Sequence, residues 1–324
     1  MNDKPLIIVN NAAAKARRAL PVVRNLLESA GVHFDIHETS RPGDATTQTR
    51  NALKGGVTTI AVVGGDGTLS EVAEGFFEFA EDLNQLPSPI NSAASLSILP
   101  AGTGDDFARG LKGQRAPLAE WIDVFISHCL AARDESTRLV DVLYGLCDDY
   151  RKPFICMNAC TMGIGGETAG RVAAQGKLMR SFSGEARFAA AAVAGLAFWR
   201  ERRVRIVVDD VEIIDGPMNL AGVANGLYAG GGMMFSPQAQ NDDGKLDVVI
   251  ASGLNRAQII RELARIHKGG HVANPKVRIV QGVGVSVETF SAEDAMPIEA
   301  DGNVRGVTPV EFRLMPMALR FVVG

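Results

Sequence analysis

VVGGDGTLSEV (residues 62–72) places two glycines, an aspartate, a third glycine and a threonine where one sequence pattern gives way to another. Before it, TIAVV (59–63) is an apolar run with the length of a buried strand. After it the spacing turns helical, and a helix rich in Glu and Phe is expected over 69–83. Strand, glycine turn and helix form the geometry that collects anions. A helix N-terminus exposes unpaired N–H groups and the positive end of its dipole. Glycines let a ligand approach the backbone closely, and Thr68 can cap the helix and donate a hydroxyl. Asp66 is the odd residue, because a carboxylate beside an anion repels it unless a cation intervenes. Mg²⁺ would resolve the conflict; alternatively, Asp66 caps the next helix and touches no ligand. The turn is neither a dinucleotide-binding GxGxxG nor a P-loop, since no GK[ST] follows. GIGGET (163–168) lacks the third glycine.

A second turn, in SLSILPAGTGDDFARGL (95–111), also follows a strand and leads into a helical pattern. Gly102 and Thr103 lie in it, and Asp105-Asp106 open the helix. Two such turns at successive strand ends would face one cleft, as a nucleotide–Mg²⁺ site requires; the alternative is two ordinary βα loops. A third cluster is ANGLYAGGGMMFSPQAQNDDGKLDVVI (224–250). NDDGKLD resembles half of a calcium loop without its downstream Glu. It could hold Mg²⁺ through one carboxylate and backbone carbonyls, or be a plain Asp-Gly turn.

Around these turns the first part of the chain alternates strand and helix: PLIIV, a helix over 15–30, VHFDIH, a helix over 44–54, TIAVV, SLSIL. Alternation implies right-handed βαβ units and a parallel sheet. Near Val140 the style changes to short β-rich runs: PFICMN, VRIVVDDVEI, LAGVAN, KLDVVIA, KVRIV, VSVET and PVEFRL. A helical insert is expected over about 171–200 and a last helix over 256–267. The chain of 324 residues suffices for two domains. Its 46% hydrophobic and 22% charged content is that of a globular protein with a real core. The formal net charge of −4 argues against a general nucleic-acid binder. The four cysteines, Cys129, Cys147, Cys156 and Cys160, show no CxxC pair and read as reduced thiols. The N-terminus shows no signal-peptide pattern, so a cytoplasmic protein is expected. FAAAAVAGLAFW (188–199) is too short to span a bilayer.

GGDGTLSEV, LPAGTGDDFARG and GGGMMFSPQAQNDDGKLDV, in this order, resemble the bacterial diacylglycerol-kinase-like lipid kinases, whose superfamily includes sphingosine kinases and NAD kinases. The resemblance runs from LIIVN at the start to EADGNVRG and LMPMALRFVV at the end. It implies an NAD-kinase-like α/β nucleotide domain over 1–139 and an all-β sandwich over 140–313, with residues 314–324 returning to the first domain and the active site in the interdomain cleft. It implies transfer of the γ-phosphate of ATP, with Mg²⁺, to the hydroxyl of a diacylglycerol-like or sphingoid alcohol. Gly64, Gly65, Asp66, Gly67, Thr68 and Ser70 would line the phosphates. Asn10, Thr39, Gly102 and Thr103 would contact nucleotide. A metal would bind Asp243 and the carbonyls of Gln240 and Lys245. The segment Ala300-Asp301-Gly302-Asn303 would supply the catalytic base. The implied partners are a lipid alcohol and the inner face of a membrane, and a homodimer is compatible.

The chain departs from that pattern at four places. The usual NPxSG after the first strand is Asn10-Asn11-Ala12-Ala13-Ala14. GGDGTxNE is GGDGTLSE, with Ser70. GTxNDF is GTGDDF, so Asp105 adds a negative charge beside the phosphates. The usual glutamate base is Asn303, which cannot accept a proton as a general base does. Asp301 or Asp66 would have to take that role, at stake being a factor of ~10²–10⁴ in rate. The alternatives are a non-catalytic nucleotide- or lipid-binding relative and a soluble-substrate kinase resembling NAD kinases.

Residues 171–205 carry eight Lys/Arg (Arg171, Lys177, Arg180, Arg187, Arg200, Arg202, Arg203 and Arg205) against Glu185 and Glu201. A basic helix ending in Phe198-Trp199 suits an anionic lipid surface. The competing reading is a helix packed on the sandwich with solvated arginines, and the alanine-rich run favours it. His33, His37 and His128 show no evident partners. His267 and His271 are separated by a helix-breaking Gly269-Gly270, so they are not expected to share a metal.

Overall fold

The computed structural model describes residues 4–130, 136–173, 195–196 and 199–323. Two compact units form, Met1–Val142 with Met315–Gly324, and Leu143–Leu314.

The first unit runs β1 (Leu6–Val9), α1 (Ala14–Ser29), β2 (Asp35–Glu38), α2 (Asp44–Lys54), β3 (Thr59–Gly64), α3 (Asp66–Gly75), β4 (Phe77–Glu78), β5 (Ser88–Pro89), β6 (Ser95–Pro100), α4 (Asp106–Lys112) and α5 (Leu118–Leu130). Strands β2, β1, β3 and β6 lie side by side in that order, all parallel. β1 and β3 read as near-continuous apolar runs because helices cover such a sheet on both faces. Ile7, Ile8, Val9 and Ile60 to Val63 are fully buried. α1 packs against β3 and α5, while α2 packs against α3. The end of the strand Val310–Val322 lies on the far side of β6, with Phe321 opposite Leu96. Phe321 meets Phe107 edge-on at 5.0 Å between ring centroids.

Helix α3 stops at Gly75, eight residues short of the expected end. Its last turn lies so close to α2 that a Cβ on Gly75 would come within 2.5 Å of the Thr49 Cβ. Phe76 and Phe77 then turn into the core, 1% and 0% exposed. Phe77 opens a two-stranded ribbon, paired with Pro89, in place of a further helical turn. His128, without an evident partner in the sequence, is fully buried between the hydroxyls of Ser95 and Ser136, at 3.0 and 2.6 Å.

The chain reaches the second unit through β7 (Thr137–Cys147) and continues through β8 (Lys152–Cys156), β9 (Ala159–Gly163), α6 (Ile164–Ala173), β10 (Arg202–Val208), β11 (Val211–Met218), β12 (Leu220–Ala224), β13 (Tyr228–Ala229), β14 (Met233–Met234), β15 (Leu246–Ala251), α7 (Arg256–Ile266), β16 (Val277–Gly282), β17 (Gly284–Thr289), β18 (Pro297–Ala300), β19 (Asn303–Val307) and β20 (Val310–Val322). One antiparallel sheet has the order β16-β15-β12-β9-β18-β19. A second group, β11-β10-β17 with the start of β20, and β8 with the end of β7, is also antiparallel. Inward side chains of both, among them Leu143, Phe154, Met162, Ile206, Val248 and Phe312, form one core. This is a β-sandwich. VRIVVDDVEI, one run in the sequence, is a hairpin. Asp209 and Asp210 both take positive φ (47° and 65°), as a tight two-residue turn requires.

The expected insert begins earlier than the sequence suggested, with α6 opening in GIGGET. Gly166 is needed there for packing, since a Cβ would stand 2.1 Å from the Pro297 carbonyl oxygen. Most of the expected basic insert, including Lys177, Arg180, Glu185, Arg187 and Phe198, lies outside the described residues. Among the described residues no helix is long and apolar enough to cross a membrane.

Candidate functional site

In the sheet order β2-β1-β3-β6 the chain passes from β1 to β2 on one side and then crosses back over β1 to β3 on the other. The crevice opened by such a reversal lies at the carboxyl ends of the two strands. Asn10 follows β1, Gly65 follows β3, Thr39 follows β2, and Gly102 and Thr103 follow β6. The carboxyl ends of the strands of one sheet thus gather Asn10, Thr39, Gly65, Gly102 and Thr103. Asn10 spans the crevice: its N–H bonds to the Val63 carbonyl at 3.1 Å, and its Nδ2 donates to Thr68 Oγ1 at 2.8 Å. Thr68 therefore does not cap α3. The N-cap is Gly65, in extended conformation, with no side-chain cap bond. An uncapped N-terminus on a ten-residue helix, at a strand-order reversal, is a seat for an anion.

The two glycine turns touch each other. A Cβ on Gly102 would lie 2.6 Å from the Gly65 Cα and 2.5 Å from Asp105 Oδ1. Asp66 joins them from the other side: its Oδ2 accepts the Asp106 N–H at 3.0 Å and its Oδ1 the Phe107 N–H at 2.9 Å. The carboxylate thus occupies the N-terminus of α4, forty residues along the chain. Its negative charge is stabilised there by backbone N–H groups, with no cation needed to explain it. Asp105 is also aimed into the turn. Its Oδ1 accepts the Gly102 N–H at 2.7 Å, its Oδ2 accepts Arg115 Nη2 at 2.9 Å, and the residue is 3% exposed. The expected extra charge beside the phosphates is therefore offset by a guanidinium. Asp105 has φ 51°, a left-handed conformation that Asn and Asp tolerate best among residues with a side chain. That explains how either residue can serve at this position.

Ser70, expected to line phosphates, is fully buried, whereas Thr103 is exposed. Two further polar residues converge on the second turn, and a third ties α3 to α2. Lys15 Nζ, from the first turn of α1, and Arg115 Nη2 both donate to the Gly102 carbonyl, at 3.1 and 3.3 Å. Glu71 Oε2 accepts the Gly43 N–H at 3.2 Å and ties α3 to the start of α2. Nothing in local spacing marks these residues; only contact across the fold does. Beside Thr39, Asp44 accepts the Ser40 N–H at 2.8 Å and meets His37 Nε2 at 3.2 Å. The Ser40 amide first and the His37 ring second hold its carboxyl down to about 2.

The remaining expected residues, Gln240, Asp243, Lys245, Asp301 and Asn303, lie in the second unit. Gln240, Asp243 and Lys245 line one open cleft of about 560 Å³. Asp243 Oδ1 accepts the Lys245 N–H at 3.0 Å, and the residue is exposed. Among the described residues no three His, Cys, Asp or Glu side chains gather as a metal group. One exposed carboxylate with neighbouring carbonyls still suits Mg²⁺, which keeps several waters of its own.

Asp301 lies where the chain turns from β18 into β19. It is 5% exposed in the left-handed conformation, φ 49°. Its oxygens accept the N–H groups of Met157, Asn158 and Ala159 at 2.7, 3.0 and 3.2 Å. Burial pushes its pKa up against those bonds. With its oxygens committed to backbone amides inside the sandwich, it has a structural part. Asn303 is half-buried at the start of β19. Glu299, on the same hairpin, is held by Thr161 Oγ1 at 2.6 Å and the Gly302 N–H at 2.5 Å. Burial also raises the Cys156 and Cys160 thiols.

Of the basic segment, the described arginines are not free cations. Arg200, Arg202, Arg203 and Arg205 pair with Asp294, Glu167, Asp215 and Glu212. Trp199 is 7% exposed and packs with Ile164, Leu254 and Ile259. It sits in a core and not at an interface.

Comparison with known proteins agrees with this architecture. The sequence model of the Diacylglycerol kinase catalytic domain matches residues 4–143, and that of the YegS C-terminal NAD kinase beta sandwich-like domain matches residues 162–323. A "Diacylglycerol kinase" of Staphylococcus haemolyticus is 28% identical over 310 residues, 94% of this chain and 84% of the relative. A "Probable lipid kinase YegS-like" of Chromohalobacter salexigens is 29% identical over 324 residues, covering 97% and 91%. The fold matches a crystal structure of a diacylglycerol kinase from Bacillus anthracis str. Sterne with TM-score 0.65 and 20% identity, over 99% of this chain and 96% of that one.

Proposed function

The chain belongs to the diacylglycerol-kinase-like lipid kinases, in which a diacylglycerol kinase catalytic domain precedes a YegS C-terminal NAD kinase beta sandwich-like domain, and on that premise we propose that it transfers the γ-phosphate of ATP to the hydroxyl of a lipid alcohol. The observation that carries the reading is the gathering of Asn10, Gly65, Thr68 and Gly102 around the uncapped N-terminus of α3. Bound ATP with Mg²⁺ would supply the activated phosphoryl group and neutralise its charge. The amides at the start of α3 would receive phosphate oxygens, and Lys15 and Arg115 would add positive charge at the second turn. Asp66 would be a positioning residue that locks α4 and the second turn against the first. Asp243, with the carbonyls of Gln240 and Lys245, would hold a metal ion.

Asp301 and Asn303 leave the acceptor hydroxyl without an assigned base on this chain. Phosphoryl transfer relies chiefly on positioning and charge neutralisation, so the reading survives that loss. The same two residues favour a second reading, a nucleotide-binding relative that does not turn over. The experiment is incubation of the purified protein with γ-labelled ATP, Mg²⁺ and a total bacterial lipid extract, followed by lipid separation. One labelled lipid, lost in Asp66→Asn, is the expected result. ATP binding with no labelled lipid would replace the first reading by the second.

A further inference from the structure

Beside the second glycine turn, α4 and the start of α5 enclose a cavity of about 340 Å³. That is at the small end of the range for organic ligands, about 300–1,000 Å³. Ala108, Leu118 and Trp121 give it apolar walls, and Asp105, Arg109 and Arg115 are the charged groups that line it. Two guanidiniums against one carboxylate leave the lining one net positive charge. Asp105 is already satisfied, since it accepts the Gly102 N–H and Arg115 Nη2 at the buried end of the cavity. Arg115 comes from the loop between the two helices, and its side chain is 50% exposed.

Trp121 is 1% exposed, and its indole N–H has no hydrogen-bond partner among the described residues. Buried donors are nearly always answered by an acceptor, so this one calls for an explanation. Lys112 Nζ stands over the same ring, 5.4 Å from its centroid, and adds a third cation to this side of the helix pair. Apolar surface, excess positive charge and an unanswered donor all suit the same partner, a compact apolar body that carries one anionic group with acceptor oxygens. A neutral ligand would leave the excess charge unmatched, and a dianion would be repelled by Asp105.

We propose that this cavity binds a small organic monocarboxylate, its carboxylate at Arg109 and Arg115 and its apolar body against Ala108, Leu118 and Trp121. Guanidinium and carboxylate match as planar, bidentate partners. The site is linked to the second turn, because Arg115 is also the cation that offsets Asp105 and one of the donors to the Gly102 carbonyl. An occupant competes with Asp105 for that guanidinium, so filling the cavity loosens the hold of Asp105 on the Gly102 amide. That this would weaken phosphate binding rests on the proposed reaction; the binding of the carboxylate does not.

The test is titration of the full, isotope-labelled chain with benzoate and with benzamide, its neutral counterpart, followed by NMR at the indole N–H signals. The chain has two tryptophans, so Trp199→Phe assigns the signal of Trp121. A saturable shift of that signal by benzoate is expected, with benzamide at least about tenfold weaker. Arg109→Gln and Arg115→Gln should each weaken benzoate at least about tenfold. Ala116→Phe, which fills the cavity, should abolish binding. Arg151→Gln, in the other unit, should leave it unchanged. Hydrogen exchange at the Gly102 amide should quicken when benzoate binds. Unchanged melting temperatures establish that the variants fold. Equal binding of benzamide, no saturation by the native chain, undiminished affinity in both arginine variants, or unaltered exchange at Gly102 would overturn the proposal. None of these measurements uses ATP or turnover, so a failed kinase assay leaves them readable.

Discussion

Asp66 and Asp301 are spelled alike, each followed by glycine and each an apparent catalytic carboxylate. Their surroundings differ. Asp66 is partly exposed at the carboxyl edge of a parallel sheet and holds the first two amides of α4. Asp301 is sealed in a sandwich and holds three amides of the segment joining β8 to β9. The first fastens two glycine turns to each other. The second fastens a fold. An aspartate-glycine pair opens a helix at Asp66 and makes a hairpin turn at Asp301, and the burial of the carboxylate differs with it.

The largest effect expected is that of Asp301→Ala. Three buried amides would lose their acceptor at about 1–3 kcal/mol each before relaxation, so the second unit should lose about 3–5 kcal/mol. Denaturation midpoints at constant slope measure this, and a loss below ~1 kcal/mol would remove the contrast with Asp66. Gly102→Ala comes next. Its Cβ would collide with Gly65 backbone and Asp105, and overpacking of this kind costs about 1–3 kcal/mol. Label transfer should fall with it, because the turns can no longer touch.

Asp66→Asn sharpens the comparison most. Asn keeps one acceptor oxygen, so the cost should be about 1–2 kcal/mol. Hydrogen exchange should quicken at the amides of Asp106 and Phe107 and stay slow at Met157, Asn158 and Ala159. Equal quickening in both places would mean that the two carboxylates act on one cooperative unit. The smallest effect is that of Asp44→Asn. The carboxyl of Asp44 titrates at about 2 in the fold, below its ordinary range, so its ionised form favours the folded state. That contribution is present above about pH 4 and is lost as pH falls toward the folded value. The variant should be about 1–2 kcal/mol less stable at neutral pH and should converge with the native chain near the acid end. A difference that persists in acid would assign the effect to the Ser40 turn and not to charge.

Much of the first unit can be read from its residues. Helix α2 occupies the predicted residues, and the strands at 6–9, 59–64 and 95–100 fall within a residue or so of PLIIV, TIAVV and SLSIL. Apolar periodicity and glycine stops are local signals, and they act over the same few residues that hydrogen-bond to form the element. The misreadings share one cause. Phe76 and Phe77 continue the apolar spacing of α3, and the helix ends at Gly75 because the chain pairs there as the strand Phe77–Glu78. VRIVVDDVEI was read as one run because its turn is made by two aspartates, with no glycine to mark it. Asp105 looked like a liability because Arg115, ten residues on, supplies the compensating charge only after α4 folds back.

The sequence by itself determined that strand, glycine turn and helix recur, that two glycine turns follow neighbouring strands, and that a β-rich half succeeds them. These depend on backbone preference and side-chain periodicity, which neighbours along the chain decide. Tertiary structure alone decided that Asp66 belongs to α4, that Asp301 is closed off, that Lys15 and Arg115 meet at Gly102, and that Arg200, Arg202, Arg203 and Arg205 are each paired with a carboxylate. Each of those outcomes depends on which distant group removes water from a charge or supplies its partner, and that is a property of packing.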